Sequence, residues 1–149
     1  MEESRMTRKP SKPKTNRQKL IKANDDLFRK IIRLRDKVCQ VTGKKENVQV
    51  AHFYTRGNLR MRWDLDNACL LNAGKHIWWA HTNPEQFKEF WIKRLGERRF
   101  DILNLKARYV APVKEFNLIC VHKELTEILQ ELAKELPTKL SQLKYGAVA

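Results

Sequence analysis

The spacing of apolar residues divides the chain into a polar arm followed by helices that enclose one short hairpin. From Met1 to about Lys22 there is almost no large apolar residue. Pro10 and Pro13 interrupt the segment, and Arg5, Arg8, Lys9, Lys12, Lys14, Arg17, Lys19 and Lys22 make it basic. Such a segment buries too little surface to offset its ordering entropy, so 1–22 reads as a flexible arm. Beyond it, Asn24, Asp25 and Asp26 offer helix caps. Leu27, Ile31 and Leu34 recur at helical spacing beside Phe28 and Ile32, with Arg29, Lys30, Arg33, Arg35 and Lys37 on the other face. This helix should end near Val38. Gly43 and Lys44-Lys45-Glu46-Asn47 then form a turn, and Val48, Val50 and His52-Phe53 alternate as a first strand. A loop opens at Arg56-Gly57-Asn58, and the apolar run Ala68 to Leu71 returns as a second strand.

His76 opens or lies within a helical turn containing Trp78 and Trp79. Asn83-Pro84 stops that turn and starts a helix, since proline is tolerated in a first turn. Phe87, Phe90, Trp91 and Leu95 give this helix an apolar stripe that ends at Gly96. A further helix over Glu97 to Ala107 is expected to bury Phe100, Ile102 and Leu103, with Leu105 as a further candidate. Pro112 breaks the chain. A long amphipathic helix then runs from Glu115 to Leu136, where Pro137 closes it. The pattern predicts an α+β fold, mainly helical, with one β-hairpin among helices and a long C-terminal helix. Its parts are an arm (1–22), a central domain (23–107) and a C-terminal helical extension (108–149). The last helix could serve a homodimer or pack back on its own domain.

Composition adds a partner class. The 149 residues carry 31 Lys and Arg against 17 Asp and Glu, a net charge of +14. That excess is an electrostatic footprint for a polyanion, nucleic acid first and a membrane surface behind it. No run of apolar residues is long enough to cross a bilayer and the charged start lacks a signal-peptide core, so a soluble, cytoplasmic protein with no membrane partner is expected. Cys39, Cys69 and Cys120 are odd in number and scattered, which argues against a disulfide framework.

The chemistry concentrates in Val50 to His76. His52 leaves the first strand, Asn67 stands before the second, and His76 follows in a helix. Singly, each has an ordinary role: a surface histidine, turn chemistry after Asp66, a capping or stacked ring. In that order, they resemble the HNH nuclease motif, a ββα-metal hairpin that holds one divalent ion against a phosphodiester. The resemblance implies His52 as general base, suited by a pKa near neutrality. Asn67 would orient the base or its loop. His76 would bind Mg2+ or Mn2+ through a neutral ring nitrogen, with His81, Asp66 and Asp64 as further candidate ligands.

The likeness extends along the chain. Leu34-Arg35-Asp36-Lys37-Val38-Cys39-Gln40, Gly43-Lys44-Lys45-Glu46-Asn47, Val50-Ala51-His52-Phe53, Arg62-Trp63-Asp64, Asp66-Asn67-Ala68, Asn83-Pro84-Glu85-Gln86-Phe87 and Lys93-Arg94-Leu95-Gly96-Glu97-Arg98 resemble the phage NinG (Rap) recombination endonucleases over about Asp26 to Leu105. This implies a metal-dependent DNA endonuclease acting on phage recombination or branched DNA intermediates, inside a bacterial host cell if phage-encoded. The family carries two Cys-x-x-Cys pairs that make a structural zinc site. Here the pairs read Cys39-Gln40-Val41-Thr42 and Asn72-Ala73-Gly74-Lys75. No structural zinc is expected, with packing by Val41, Leu71, Trp78 and Trp79 as its substitute.

Arg33, Arg35, Arg56, Arg60, Arg62 and Lys75 are the candidate DNA contacts, and Trp78 and Trp79 could stack on an unpaired base. Two other readings compete with the enzyme. One is a catalytically inactive HNH-derived DNA-binding recombination accessory protein, because lost cysteines are what decay looks like. The other is a structural protein that neutralises nucleic acid, which explains the charge but not the His-Asn-His order. Phosphate contacts leave DNA and RNA undistinguished.

Overall fold

The computed structural model describes residues 12–109 and 111–145. Among these the order is α1 (Asn16–Asp36), β1 (Val48–His52), a 3-10 turn (Leu65–Asn67), β2 (Ala68–Asn72), α2 (Ala73–Thr82), α3 (Pro84–Leu95), α4 (Glu97–Arg108) and α5 (Glu115–Tyr145). The fold is mainly helical with one small antiparallel sheet, as the apolar pattern predicts.

Helix α1 starts earlier than expected. Thr15 caps it, accepting from the Gln18 N–H while the Gln18 side chain accepts from the Thr15 N–H. This reciprocal box satisfies two otherwise orphaned donors. The arm therefore shortens: Lys19 and Lys22 lie in the helix, and Arg5, Arg8 and Lys9 lie outside the described residues. Asn24 and Asp25 are not caps. Asn24 is buried, donating to the Leu118 carbonyl and meeting His122 Nδ1 at 2.9 Å.

Strand β1 pairs with β2 in the register Val48↔Asn72 through His52↔Ala68. Both faces of this hairpin are covered, which is why β2 reads as a continuous apolar run rather than an alternation. Ala51, Cys69 and Leu71 face a core with Phe87, Trp91, Phe100 and Leu103 of α3 and α4. Ala68 and Leu70 face a second core with Phe28, Ile31 and Ile32 of α1 and Leu118 and Leu125 of α5. The sheet is thus sandwiched between two helical layers. The long C-terminal helix packs back on α1, and it continues past Pro137 to Tyr145. A proline inside a helix removes one backbone hydrogen bond, which need not end it. No described helix is long and apolar enough to cross a membrane.

The outer edge of β2 is tied to α1 by a polar knot. The carboxylate of Asp36, almost fully buried, accepts from the Leu70 N–H at 2.9 Å, from Arg35 Nε at 2.6 Å and from Arg94 Nη2 at 3.1 Å. Arg94 also donates to Gln40 Oε1 at 2.7 Å, and Arg35 donates to the carbonyls of Leu65 and Ala68. One buried charge is thereby surrounded by donors from a helix, a strand and α3.

Candidate active site

The last residue of β1 is His52, whose ring stacks on Phe28 of α1, with centroids 5.8 Å apart and planes 26° apart. Its Nε2 lies 2.9 Å from the Arg62 carbonyl oxygen. A carbonyl only accepts, so this partner assigns the proton to Nε2 and leaves the lone pair of the neutral ring on Nδ1. Burial lowers the imidazole pKa below its ordinary value, and Arg56 and Arg62 add to this against the Arg62 carbonyl and Asp25. The ring is therefore neutral at physiological pH, in the form a base requires.

The Arg62 carbonyl is itself held from α1. Arg62 makes a bidentate pair with Asp25, Nε to Oδ1 at 2.8 Å and Nη2 to Oδ2 at 2.7 Å, and its Nη1 donates to the Arg56 carbonyl. Trp63 Nε1 adds a third hydrogen bond to Asp25. Burial alone would raise the Asp25 carboxyl, but the bonds and charge of Arg62, with Trp63, hold it below the usual range. A helix, a loop and a strand end thus converge on one ring.

Asn67 is fully buried between the strands. Its Oδ1 accepts from the Tyr54 N–H at 2.8 Å, while Nδ2 donates to the carbonyls of Tyr54 and Met61 at 3.0 and 2.9 Å. Both N–H donors and the carbonyl oxygen of the amide are thus used to close the loop that follows His52.

His76 lies in the first half of α2. His52, His76 and His81 line one groove of about 860 Å³, with Arg56, Glu85 and Lys88 also on its walls. His76 Nδ1 is buried with no hydrogen-bond partner, and burial, with the charge of His81, lowers the ring's pKa. A neutral imidazole with an orphaned nitrogen suits a divalent cation. No three His, Cys, Asp or Glu side chains among the described residues form a metal-holding group by themselves. The groove offers His76, His81 and one carboxylate, Glu85, as side chains that could hold an ion, with water and substrate phosphate left to complete its shell.

Several expected residues fall elsewhere. Asp66 ion-pairs with Arg99, and both Asp66 and Asp64 line a different groove, beside α5; Asp64 pairs there with Lys106 at 2.9 Å. Neither is placed with His76. Arg35 and Arg62 are engaged inside the protein by Asp36 and Asp25 and by backbone carbonyls, so they offer little to DNA. Arg60 donates to the Ala111 carbonyl and covers the Tyr109 ring at 4.8 Å, away from His52. Lys75 stands 5.6 Å from the Trp78 ring centre. Of the named arginines, Arg33 and Arg56 remain on the surface at the site. Trp79 packs on Phe87 and Phe90, whereas Trp78 is half exposed and offers a ring to stack on.

At the positions compared above with cysteine pairs, Cys39, Thr42 and Asn72 have partners within the fold. Cys39 is buried; its sulfur accepts from the Thr42 N–H, and hydrogen bonds of this kind outweigh burial and lower its pKa. Asn72 caps α2 through the Gly74 N–H and donates to the Glu46 carbonyl. Of the packing residues expected there, Leu71 is buried and Trp79 partly so, but Val41 and Trp78 are exposed. The main tie between these segments is instead the Asp36 knot, where Gln40 and Arg94 meet.

No family model, curated protein or solved structure matches this chain. Reading by sequence missed Asp25, Phe28, Arg29, Glu85 and Lys88. For Asp25 a signal existed: Thr15-x-x-Gln18 is a capping box, and starting α1 there removes Asp25 from the cap and turns it inward. The others carry no local signal.

Proposed function

We propose that this chain is a metal-dependent HNH-type endonuclease that hydrolyses DNA, acting on branched or recombination intermediates in the cytoplasm, that of a bacterial host cell if it is phage-encoded. One observation carries this: neutral His52, pinned through Nε2 to the Arg62 carbonyl, lines the same groove as His76, whose Nδ1 has no hydrogen-bond partner. In this reading His52 Nδ1 takes a proton from water as the water oxygen bonds to phosphorus and the bond from phosphorus to the leaving oxygen breaks. The leaving oxygen takes its proton from solvent. A divalent ion, when bound, supplies positive charge to the oxyanion that develops on the phosphate. His76 would hold it, with His81 and Glu85 along the same wall. Asn67 keeps the loop after His52 in one shape, and Asp25 with Arg62 keeps the tautomer.

A second reading, a DNA-binding accessory without catalysis, is favoured by the withdrawal of Asp66 to Arg99, which removes one candidate ligand. One experiment separates them. Wild type, His52→Ala and His76→Ala are incubated with linear, flapped and four-way-junction DNA in Mg2+, Mn2+ or EDTA. The expected outcome is metal-dependent cutting by wild type alone, with folding and DNA binding kept in His52→Ala. Full cleavage by His52→Ala would sink the catalytic assignment, and tight binding without cleavage under any ion would favour the accessory reading.

A further inference from the structure

Arginines in this chain fall into two groups. Arg35, Arg62 and Arg94 are largely buried, and each is bonded to a carboxylate within the fold. Arg29, Arg33 and Arg56 are exposed and line a second, smaller cavity of about 160 Å³ that also includes His52 but not His76. The two cavities share Gln49, Val50, His52 and Arg56, so they meet at the histidine along β1.

The charge of the smaller cavity is strongly one-sided. Its carboxylate is Asp25, whose oxygens already accept from Arg62 and from Trp63. Arg29 lies 3.2 Å from Asp26, but Lys22 holds that carboxylate at 2.6 Å, and both arginine and aspartate are more than two-fifths exposed. Exposed pairs of this kind contribute little and yield readily to another anion. Arg33 makes one long bond, 3.3 Å, to the Val48 carbonyl. Three guanidinium groups, two from α1 and one from the loop after β1, therefore line one space of about 160 Å³ with most of their donors unbonded within the fold. Planar guanidinium forks match phosphate oxygens, and no carboxylate inside the fold engages these three.

We propose that the Arg29, Arg33 and Arg56 cavity is a phosphate subsite that holds the backbone phosphate next to the one beside His52. This rests on the endonuclease reading of His52, and it gives the nucleic-acid strand a course: along the His76 groove, over His52, and onto the arginines of α1. Arg29 gains a role that its place on the helix face did not suggest.

The test measures binding of a fluorescent DNA junction in EDTA over a range of salt. Wild type is compared with Arg29→Ala/Arg33→Ala and with Lys123→Ala, which removes an exposed α5 cation that lines neither cavity. Thermal melting confirms that each variant folds. For every phosphate that a variant no longer neutralises, the slope of log affinity against log salt should become shallower by about 0.7 to 0.9. The double variant should therefore show a clearly shallower slope, and Lys123→Ala should overlay wild type. In Mg2+ the double variant should raise KM while keeping kcat. Equal slopes for the double variant and Lys123→Ala would overturn the subsite while leaving the endonuclease reading standing. Failure of the wild-type chain to bind DNA at low salt would overturn both.

Discussion

At the scale of single residues, the site depends on groups that are either fully satisfied or left open. Asn67 is of the first kind. Asn67→Ala strands the Tyr54 N–H and the carbonyls of Tyr54 and Met61 around a small void. Leaving buried groups unpaired costs about 1–3 kcal/mol each, partly relieved by water, so a loss of about 3 kcal/mol is expected from chemical denaturation. Cleavage should fall further than stability, because the loop following His52 loosens. His52 gives a pH prediction. Its folded pKa is lowered from 6.5, so between 6.5 and the lowered value the unfolded chain binds more protons than the folded one. Stability thus rises with pH across that window, and the contribution of this residue is lost as pH falls through it. Under the proposed endonuclease mechanism His52 acts as the neutral base, which predicts an acid limb of the cleavage profile with its midpoint below 6.5. A midpoint at or above that value in a pH–rate profile would contradict the assignment.

At the scale of elements, the hairpin is held by polar ties as much as by apolar contact. The Asp36 knot joins α1, β2 and α3 through one almost fully buried carboxylate. Removing one partner of such a pair leaves uncompensated charge, so Asp36→Ala should cost about 3–5 kcal/mol, read as a fall in Tm. The sequence shows Asp36 only as the end of a polar helix face. Its partners Leu70 and Arg94 are distant in sequence, and no local pattern joins them. The elements themselves were legible: β1, β2, α3 and α4 fall close to where alternation, the Asn83-Pro84 stop and Gly96 place them. The N-terminal boundary was misplaced because Asp and Asn in the middle of a helix resemble caps. Here they are pulled inward, Asn24 by Leu118 and Asp25 by Arg62.

At the scale of the whole molecule, α5 is part of the core rather than an appendage. Leu118 and Leu125 are buried with Phe28, Ile31 and Ile32 of α1. Phe28 in turn carries the ring of His52, so this layer supports the site from behind. Leu118→Ala should cost about 2–5 kcal/mol by loss of burial and creation of a cavity. Calorimetry checks the stability, and nicking below the lowered Tm checks whether the site survives as long as the fold does.

The sequence by itself determined the helical class, the hairpin and the excess of positive charge, and it singled out His52, Asn67 and His76 as candidates, because periodicity and residue chemistry are local properties. Tertiary structure decided which charges act outward. Arg35 and Arg62 looked like Arg33 and Arg56 in sequence, yet folding brings Asp36 and Asp25 to the first pair and leaves the second on the surface. It also sent Asp66 to Arg99 and brought His81 and Glu85 to the groove of His76. A charge is held by whichever partner the fold brings close, however far along the chain that partner stands, because the free energy of pairing follows distance in space.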